Sequence, residues 1–537
     1  MPVRSRFDTH EVFNQSPPYE NVDLFASDTP LVEAIAVNGA GANAAELSAF
    51  GRQWGTAEMF ALGRRANENP PKLATFDAKG FRRDTVEFHP AYHQFMTQSV
   101  AAGLHASSWT TAGTRAPAPA EVSRSARFYM AGQVETGHLC PITMTRASVA
   151  ALTAEPALAA QVVPKITTRN YDATFRPWSE KSGMTLGMGM TEKQSGTDVR
   201  ANTTTATPTG DAYTIVGHKW FFSAPMSDAF LVLAQAPGGL TCFMMPRFRP
   251  DGAVNALRFQ RLKDKLGNRS NASSEVEFTD AFAWRVGDEG AGIRTILQMV
   301  QLTRLDCAVA SAGLMRMALV QALHHCRHRQ VFGKRLADQP MMRAVLADMA
   351  LEVEGAVALV MRLSRAFDLA ATNPHEAAYA RLLTPAAKYQ ICKLAPGFVF
   401  EAMECLGGNG YVEESLLPRL YRESPVNAIW EGSGNVMCLD VLRALKGEGG
   451  AELAATLARE AGVAPLPLDA NETDARALVG SLAVLASAAA LRASAPPAVA
   501  DAFTTTRVAD RHGAIYGAAG LDNSATELLL QRALPEM

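Results

Sequence analysis

Glu431 is a single carboxylate between an apolar pair and a turn rich in glycine. The turn, residues 432–435, contains two glycines and two small polar residues, so its backbone can approach a ligand closely. A periodic apolar run at residues 436–445 follows and predicts a helix. The first N–H groups of such a helix can bind an anionic or carbonyl oxygen, while the carboxylate can take a proton beside them. The alternative is a surface turn in which the helix dipole favours a glutamate.

Two further segments could face a polar ring or a flat cofactor. The loop at residues 188–198 carries hydroxyls and a glycine at Thr191, Ser195, Gly196 and Thr197. Such a loop can present several N–H and O–H donors. The segment at residues 217–223 places three aromatic residues in a row before a hydroxyl, namely Trp220, Phe221, Phe222 and Ser223. A flat aromatic cofactor would suit this surface. The alternative for the loop at residues 188–198 is an ordinary helix-to-strand connection, and the alternative for residues 217–223 is a strand packed in the core.

Two more segments resemble phosphate-binding surfaces. Arg329 and Phe332 put a fixed cation and an aromatic ring just after a predicted helix, which suits a pyrophosphate and an adenine. Residues 406–411 contain three glycines within four positions, Gly407, Gly408 and Gly410, so the backbone can approach phosphates closely. A cation-rich helix end and a flexible turn are the alternatives. The glycines lack the spacing of a Rossmann fingerprint.

The composition favours a soluble protein of the cytoplasm. Of the 537 residues, 48% are hydrophobic and 19% charged, and the net charge of −2 argues against general attraction to nucleic acid or anionic membranes. The seven cysteines form no CxxC pair, which fits a reducing compartment and argues against a structural zinc site. No signal peptide and no run of about 18 apolar residues is found. We therefore expect a cytoplasmic location, no metal and no membrane partner.

The pattern along the chain predicts an α+β multidomain fold. Residues 1–40 predict an extended N-terminal arm, and residues 41–182 a helical domain. Short β-branched runs predict an antiparallel β-barrel or sandwich over residues 183–285. Residues 286–446 predict a four-helix bundle, and residues 447–537 an extra helical C-terminal domain. The long helices of the bundle are predicted at residues 293–303, 307–325, 340–369 and 377–406.

Together, in this order and spacing, the motifs resemble those of the acyl-CoA dehydrogenase family of flavoproteins. The matching segments are T-E-x-x-x-G-T-D at residues 191–198, the flavin strand at 220–223, R-x-x-F-G at 329–333, G-G-x-G-Y at 407–411 and the E-G-S-x-N turn at 431–435. The chain is most similar to the AidB-type branch of DNA alkylation response proteins. Segments at residues 9–15, 140–145 and 262–273 and the extra C-terminal domain carry that closer resemblance.

The resemblance implies that a non-covalent FAD lies between the β-domain and the C-terminal bundle. It assigns to the flavin ring and its phosphates the residues Met190, Thr191, Gly196, Thr197, Trp220, Phe221 and Ser223, with Ser433 and Asn435 in the turn. It assigns Arg329, Phe332, Gly407, Gly408 and Gly410 to FAD held mainly by a neighbouring subunit. That arrangement requires a homo-oligomer, usually a tetramer in this family.

Glu431 falls on the position of the family's catalytic base, and Arg304 aligns with an arginine near the acyl-CoA site. A structural ion pair between Arg304 and Asp306 is the alternative for the arginine. The first functional hypothesis is an FAD-dependent dehydrogenase that oxidises an acyl-CoA thioester, with an electron acceptor that the sequence does not assign. The catalytic step would be removal of the α-proton by Glu431 with hydride passing to flavin N5.

The second hypothesis is a flavoprotein that binds duplex DNA and protects it from alkylation, with weak dehydrogenase activity. A third is a flavin scaffold with little turnover. Phosphate contacts need cations, but residues 447–537 contain six Arg, no Lys and eleven acidic residues. This acidic balance weakens the DNA hypothesis for the C-terminal domain.

Overall fold

The N-terminal part of the computed structural model, which describes residues 9–469, 471–509 and 515–535, consists of helices and a β-hairpin. Its elements are α1 Thr29–Ile35, α2 Ala44–Trp54, α3 Ala57–Glu68, β1 Lys72–Phe76, β2 Arg82–Glu87, α4 Pro90–Ala101, α5 Ala120–Val134, α6 Leu139–Leu152 and α7 Pro156–Ile166. Helix α5 is the centre of this part, because every residue from Glu121 to Val134 is buried.

The predicted extended arm is partly wrong, because helix α1 lies within residues 1–40. Asp28 accepts a hydrogen bond from the N–H of Leu31 at 3.2 Å, and Pro30 occupies the first turn, so both helix-start signals are present. Residues 1–8 of the predicted arm lie outside the described residues. The β1–β2 hairpin is a second difference, because the sequence analysis assigned this region to a helical domain and predicted no strands in it.

The middle part is a barrel of short strands, as predicted. Its strands are β3 Leu186–Gly189, β4 Thr205–Thr209, β5 Ala212–Ser223, β6 Ala229–Ala236, β7 Gly239–Pro246, β8 Leu257–Leu262 and β9 Ser273–Val286. The pairings β6–β4, β4–β5, β5–β9, β9–β7 and β7–β6 close the sheet on itself, while β3 and β8 extend it from β6 and β9. The ladder is mostly antiparallel, but β3 and β4 pair with β6 in parallel, which the alternation pattern did not predict.

The C-terminal bundle is framed by three long helices, α8 Gly292–His328, α9 Pro340–Leu369 and α10 Pro374–Leu406. The predicted break near residues 304–306 is wrong, because α8 is one continuous helix of 37 residues. The short strands β10 Gln330–Val331 and β11 Lys334–Arg335 join α8 to α9. Three shorter helices follow α10, namely α11 Gly408–Tyr411, α12 Leu417–Glu423 and α13 Gly434–Leu445.

The C-terminal extension is helical, as predicted, with α14 Gly450–Ala461, α15 Ala475–Ser494, α16 Pro497–Phe503 and α17 Asn523–Ala533. Its buried side chains belong to the same apolar core as those of α5, α8, α9 and α10, whereas the barrel contributes two separate clusters. Helices α8 and α15 are long and apolar enough to span a membrane, but 89% and 61% of their apolar windows are buried within the protein. Buried core helices of soluble proteins have the same length and apolar composition, so these two helices are weak evidence for a membrane span.

Candidate active site

Glu431 lies on a strained turn between helical segments. Its φ of +57° is in the left-handed region, which is uncommon for a residue with a Cβ, and Gly432 follows with a φ of +100°. Helix α13 begins at Gly434, and its N-cap Ser433 makes no side-chain capping bond. The predicted arrangement of a carboxylate beside a Gly-rich turn and a helix start is therefore present. Backbone strain at a titratable residue is typical of functional sites.

Three side chains from distant segments hold this turn. Thr303 of α8 donates its hydroxyl to Oε2 of Glu431 at 2.6 Å. Arg304 donates to the carbonyl of Glu431 at 3.1 Å, and Lys388 of α10 donates to the carbonyl of Gly432 at 2.7 Å. Both the carboxylate and the backbone of the turn are thus fixed by hydrogen bonds.

Arg304 forms its ion pair with Asp440 of α13, at 2.6 Å, rather than with Asp306. Asp440 also pairs with Arg381 at 2.6 Å, whereas Asp306 binds Arg124 and Arg146. The alternative helix-start pair between Arg304 and Asp306 is therefore wrong. The assignment of Arg304 to substrate binding stays a prediction, and its contacts in the structure support the Glu431 turn.

Burial raises the pKa of Glu431 above its usual value. The hydrogen bond from Thr303 and the charges of Lys388 and Arg304 act in the opposite direction, because they favour the ionised form. A carboxylate with a raised pKa is a stronger base than one in water, yet its hydrogen bond and the nearby cations keep the charged form accessible. These are the properties that removal of a weakly acidic C–H proton requires.

The predicted flavin strand is the C-terminal half of β5. Trp220 is partly buried and Phe221 is 49% exposed, so both rings present surface. The N–H of Trp220 donates to the carbonyl of Thr191 at 2.9 Å, which brings the two predicted flavin segments together. Ser223 lies 3.0 Å from the hydroxyl of Ser273 on β9. The accessible faces of the two rings could pack against a flat aromatic ring system, and the Ser223 hydroxyl could bond its polar edge, so these residues are suited to contact a flavin.

Lys263 is a residue of this surface that the sequence prediction missed. Its Nζ lies 3.2 Å from the centre of the Trp220 ring and 2.6 Å from a carboxylate oxygen of Glu275. Lys265 donates to the carbonyl of Asn271 at 2.7 Å. No local sequence pattern indicates these contacts, because the aromatic partner is about forty residues away.

A buried ion pair holds the two predicted flavin segments together. Glu192, next to Thr191, and Lys219, next to Trp220, pair at 2.7 Å with no side-chain exposure. Glu192 also accepts the N–H groups of Thr203 at 2.7 Å and Thr204 at 3.2 Å. Although burial alone would raise it, the charge and hydrogen bond of Lys219 and the bonds from the threonines lower the pKa of Glu192 to about 2. This pair fixes the loop after β3 against β5.

The remaining cofactor candidates of the loop lie at its surface. Gly196 and Thr197 are exposed, and Met190 accepts a hydrogen bond from Asn202 at 3.0 Å through its carbonyl. A Cβ on Gly196 would lie 3.1 Å from Thr191, so a larger residue would press on a predicted flavin contact. Their roles stay predictions.

The second group of predicted cofactor residues lies away from Glu431. Arg329 and Phe332 follow the end of α8, and Gly407 and Gly408 follow the end of α10. These two helix ends lie side by side, because the Cys326 thiol is 3.9 Å from the carbonyl of Cys405. Phe332 is 97% exposed, and a Cβ on Gly407 or Gly408 would meet no atom within 4 Å. This open surface fits the predicted contact with FAD of a neighbouring subunit.

Two of these residues already have contacts within the chain, in addition to any contact with FAD of a neighbouring subunit. Arg329 donates one N–H to the carbonyl of Asn14 at 2.7 Å, so the N-terminal arm already holds part of its guanidinium. A Cβ on Gly410 would lie 2.2 Å from the carbonyl of Met403, so this glycine is required by packing within α10 and α11.

The two remaining cofactor candidates lie in the turn after Glu431. Asn435 accepts a hydrogen bond from Arg476 of α15 at 2.9 Å, while Ser433 is exposed.

Three family profiles match the chain. They are the adaptive response protein AidB N-terminal domain at residues 14–173, the acyl-CoA dehydrogenase middle domain at 187–281 and the acyl-CoA dehydrogenase C-terminal domain at 290–446. AidB of Escherichia coli (strain K12), which carries the name of an acyl-CoA dehydrogenase, is 54% identical over 444 residues, 82% of this chain and 81% of its own length. The chain belongs to the acyl-CoA dehydrogenase family and is AidB-like.

A second relative and a solved structure agree. Acyl-CoA dehydrogenase family member 11 of Caenorhabditis elegans is 32% identical over 425 residues, covering 75% of this chain and 67% of the relative. The crystal structure of Caenorhabditis elegans ACDH-11 in complex with C11-CoA superposes with a TM-score of 0.82 at 25% identity over all of this chain and 95% of that chain. The predictions of the fold, of AidB-like membership and of a flavin-dependent oxidoreductase are confirmed at the level of the family.

Proposed function

We propose that this protein oxidises acyl-CoA thioesters with FAD as its cofactor and Glu431 as its catalytic base. The observation that carries the proposal is the Glu431 carboxylate on its strained turn, with a raised pKa and a hydroxyl donor at 2.6 Å. Bound FAD supplies the hydride acceptor that such an oxidation needs. Glu431 takes the α-proton, and Thr303 orients the carboxylate that receives it.

The residues around the turn also determine where charge can develop. As the α-proton leaves, the thioester oxygen becomes more negative and needs a hydrogen-bond donor. Within the described part of the chain, the N–H of Glu431 has no hydrogen-bond partner, so it can serve as that donor. Lys388 donates to the carbonyl of Gly432 and Arg304 to the carbonyl of Glu431, so the backbone that carries this N–H is held by two hydrogen bonds.

The CoA thioester is proposed as the substrate class because the similar ACDH-11 structure contains C11-CoA. The direct test is anaerobic mixing of the FAD-loaded protein with acyl-CoAs of short, long and branched chains while flavin absorbance is recorded. We expect at least one thioester to bleach the flavin, with free CoA as the control. Flavin that dithionite reduces but no acyl-CoA reduces would contradict the proposal.

Duplex DNA is not favoured as the main ligand. The described arginines of the C-terminal extension bind groups of the protein itself: Arg476 with Asn435, Arg492 with Asp501, Arg507 with Asp348 and Glu352, Arg532 with Glu33 and Glu354, and Arg459 with Thr456. Filter binding across a salt series should therefore give only weak affinity. Tight binding that falls steeply with salt would reinstate the DNA hypothesis.

We further propose a homotetramer in the cytoplasm. Phe332 and Tyr411, which are 97% and 80% exposed, lie near the joined ends of α8 and α10 and are suited to cover by another subunit. All seven cysteines are free thiols, which fits a reducing compartment. Light scattering coupled to size-exclusion chromatography should give about four times the chain mass of 57.5 kDa. A monomer at micromolar concentration would contradict the assembly.

A further inference from the structure

A cavity of about 640 Å³ opens in the N-terminal helical region, and none of its lining residues belongs to the site around Glu431. It is lined by helices α2 and α5, the end of α4, the loop between α4 and α5 and the segment after α7. Its volume lies within the range of roughly 300–1,000 Å³ that is usual for small-molecule sites. The cavity is therefore large enough for a ligand of its own.

Two arginines give this cavity an excess of positive charge. Arg127 is 7% exposed and donates one N–H to Glu46, whose side chain is 68% exposed. Among the described residues, Arg169 has no hydrogen bond or ion pair. No other charged side chain lines the cavity, so its lining has two guanidinium groups and only one carboxylate, which is mostly in water. A guanidinium that lacks a partner binds a carboxylate or a phosphate well, because its N–H groups match their oxygens in pairs.

Backbone geometry places Arg169 against the wall. A Cβ at Gly103 would lie 1.0 Å from Nη1 of Arg169, so the guanidinium occupies the space that a side chain would fill. Gly103 also has a φ of +73°, which disfavours any other residue there. The guanidinium of Arg169 therefore packs in a space that the absent side chain of Gly103 leaves open.

The rest of the lining has both a polar and an apolar part. The buried hydroxyl of Ser107 has no hydrogen-bond partner among the described residues, which leaves a donor and an acceptor beside the arginines. Phe50, Pro117, Pro119 and small alanines supply an apolar wall. A ligand with an oxyanion head and an apolar body would satisfy both parts.

We propose that this cavity is a second binding site, separate from the flavin and thioester site, for a small organic anion. Its phosphate or carboxylate pairs with Arg127 and Arg169, and its apolar body packs on Phe50 and Pro117. Binding would couple helices α2 and α5 through one ligand, because Arg127 lies on α5 and Phe50 on α2.

The test uses three probes with one aromatic body, namely phenyl phosphate, benzoate and benzyl alcohol, in calorimetric titrations of the full-length, FAD-loaded protein. We expect saturable one-to-one binding of at least one anion and none of the neutral alcohol. The two anions distinguish a phosphate site from a carboxylate site. Arg169→Gln should weaken binding at least about tenfold, since it removes a charge-assisted pair.

Two variants separate this site from others in the protein. Ala49→Trp should fill the cavity and abolish binding without changing the arginines, because Ala49 is exposed on its rim. Arg64→Gln, which removes an exposed arginine of α3 outside the cavity, should bind like the wild type. The proposal is overturned if neither anion binds saturably, if benzyl alcohol binds as well as the anions, or if Arg169→Gln and Ala49→Trp both keep wild-type affinity.

Discussion

At the scale of single residues, the proposed proton removal depends on the pKa of Glu431, on which two influences act in opposite directions. Burial raises its pKa, while the Thr303 hydroxyl and two nearby cations lower it. The Thr303 hydroxyl donates to Oε2 of Glu431 at 2.6 Å, so it contacts the carboxylate that would receive the proton. A substitution of Thr303 therefore tests the base without removing it.

Thr303→Val should raise the pKa of Glu431 further, because the hydrogen bond favours the ionised carboxylate. Flavin reduction needs that ionised form, so the rate should rise with pH through a higher pKa than in the wild type and approach the wild-type rate at high pH. Stopped-flow rates across pH measure this shift. Thr303→Ser, which keeps the hydroxyl, is the control, and an unshifted profile for Thr303→Val would contradict the assignment.

At the scale of elements, the predicted flavin surface depends on the Glu192–Lys219 pair between the loop after β3 and strand β5. Both side chains are fully buried and each makes further hydrogen bonds, Lys219 to the carbonyl of Leu233 at 2.8 Å. Removing one partner of such a pair leaves an uncompensated charge inside the protein, whereas removing both does not.

Lys219→Met should therefore lower the free energy of unfolding by about 3–5 kcal/mol, which is usual for a broken buried pair. The double variant Lys219→Met with Glu192→Leu should recover much of that loss. Urea unfolding followed by circular dichroism compares the two, with Arg64→Gln as a surface control. A double variant less stable than Lys219→Met would show that the penalty does not come from the unpaired carboxylate.

Two of the three long helices, α9 and α10, could be predicted from the sequence almost to the residue. The predicted helix at 340–369 coincides with α9. Helix α10 begins three residues before its prediction, because Asn373 caps it through the N–H groups of His375 and Glu376. Helix α8 was predicted to break where Thr303, Arg304 and Asp306 interrupt the apolar pattern, but all three side chains have partners on other elements, and these contacts override local propensity.

Long-range partners also explain the elements and site residues that the sequence did not predict. The β1–β2 hairpin carries exposed charges and has little apolar alternation, but Asp84 accepts the N–H of Phe259 at 3.1 Å, and Arg82 donates to the Phe259 carbonyl at 3.0 Å. Thr303, Lys388 and Lys263 reach the site from segments remote in sequence. Glu431 and Trp220 could be found because they lie in contiguous motifs.

At the scale of the whole molecule, one continuous core joins the N-terminal helices, the bundle and the C-terminal extension. Arg532 of α17 binds Glu33 of α1 and Glu354 of α9, so the first and the last helix pack on the bundle together. The exposed ring of Phe332 lies on this continuous core structure, and its surface is available to a second copy of the chain.

Phe332→Ala should weaken FAD binding if this ring contacts FAD of a neighbouring subunit, while the circular dichroism spectrum of the FAD-free protein stays the same. The ring is 97% exposed, so it contributes little to the stability of a single chain. Fluorescence titration of the FAD-free protein with FAD measures the affinity. Phe81→Ala, at a ring that is 69% exposed on the β1–β2 hairpin, is the matched control. Equal affinities in both variants would contradict the contact.

Acid should unfold the protein cooperatively below about pH 4. Although burial alone would raise them, ionic and hydrogen-bonded partners lower the pKa values of Glu121, Glu135 and Glu192 to about 2. A carboxylate with a lowered pKa stabilises the fold fully above its unfolded value of about 4.3, and this stability is lost as pH falls towards 2. Circular dichroism against pH follows the transition. An unchanged signal down to pH 2 would contradict the role of these carboxylates.

The most direct test of Glu431 as the catalytic base is stopped-flow flavin reduction in Glu431→Gln, with the acyl-CoA that bleaches the wild type fastest. We expect FAD to remain bound and reduction to slow by at least about 10²–10⁴-fold, since the amide keeps the shape but cannot accept the proton. Glu58→Gln, at an exposed glutamate of α3, should react like the wild type. Reduction of Glu431→Gln at the wild-type rate would contradict the central claim.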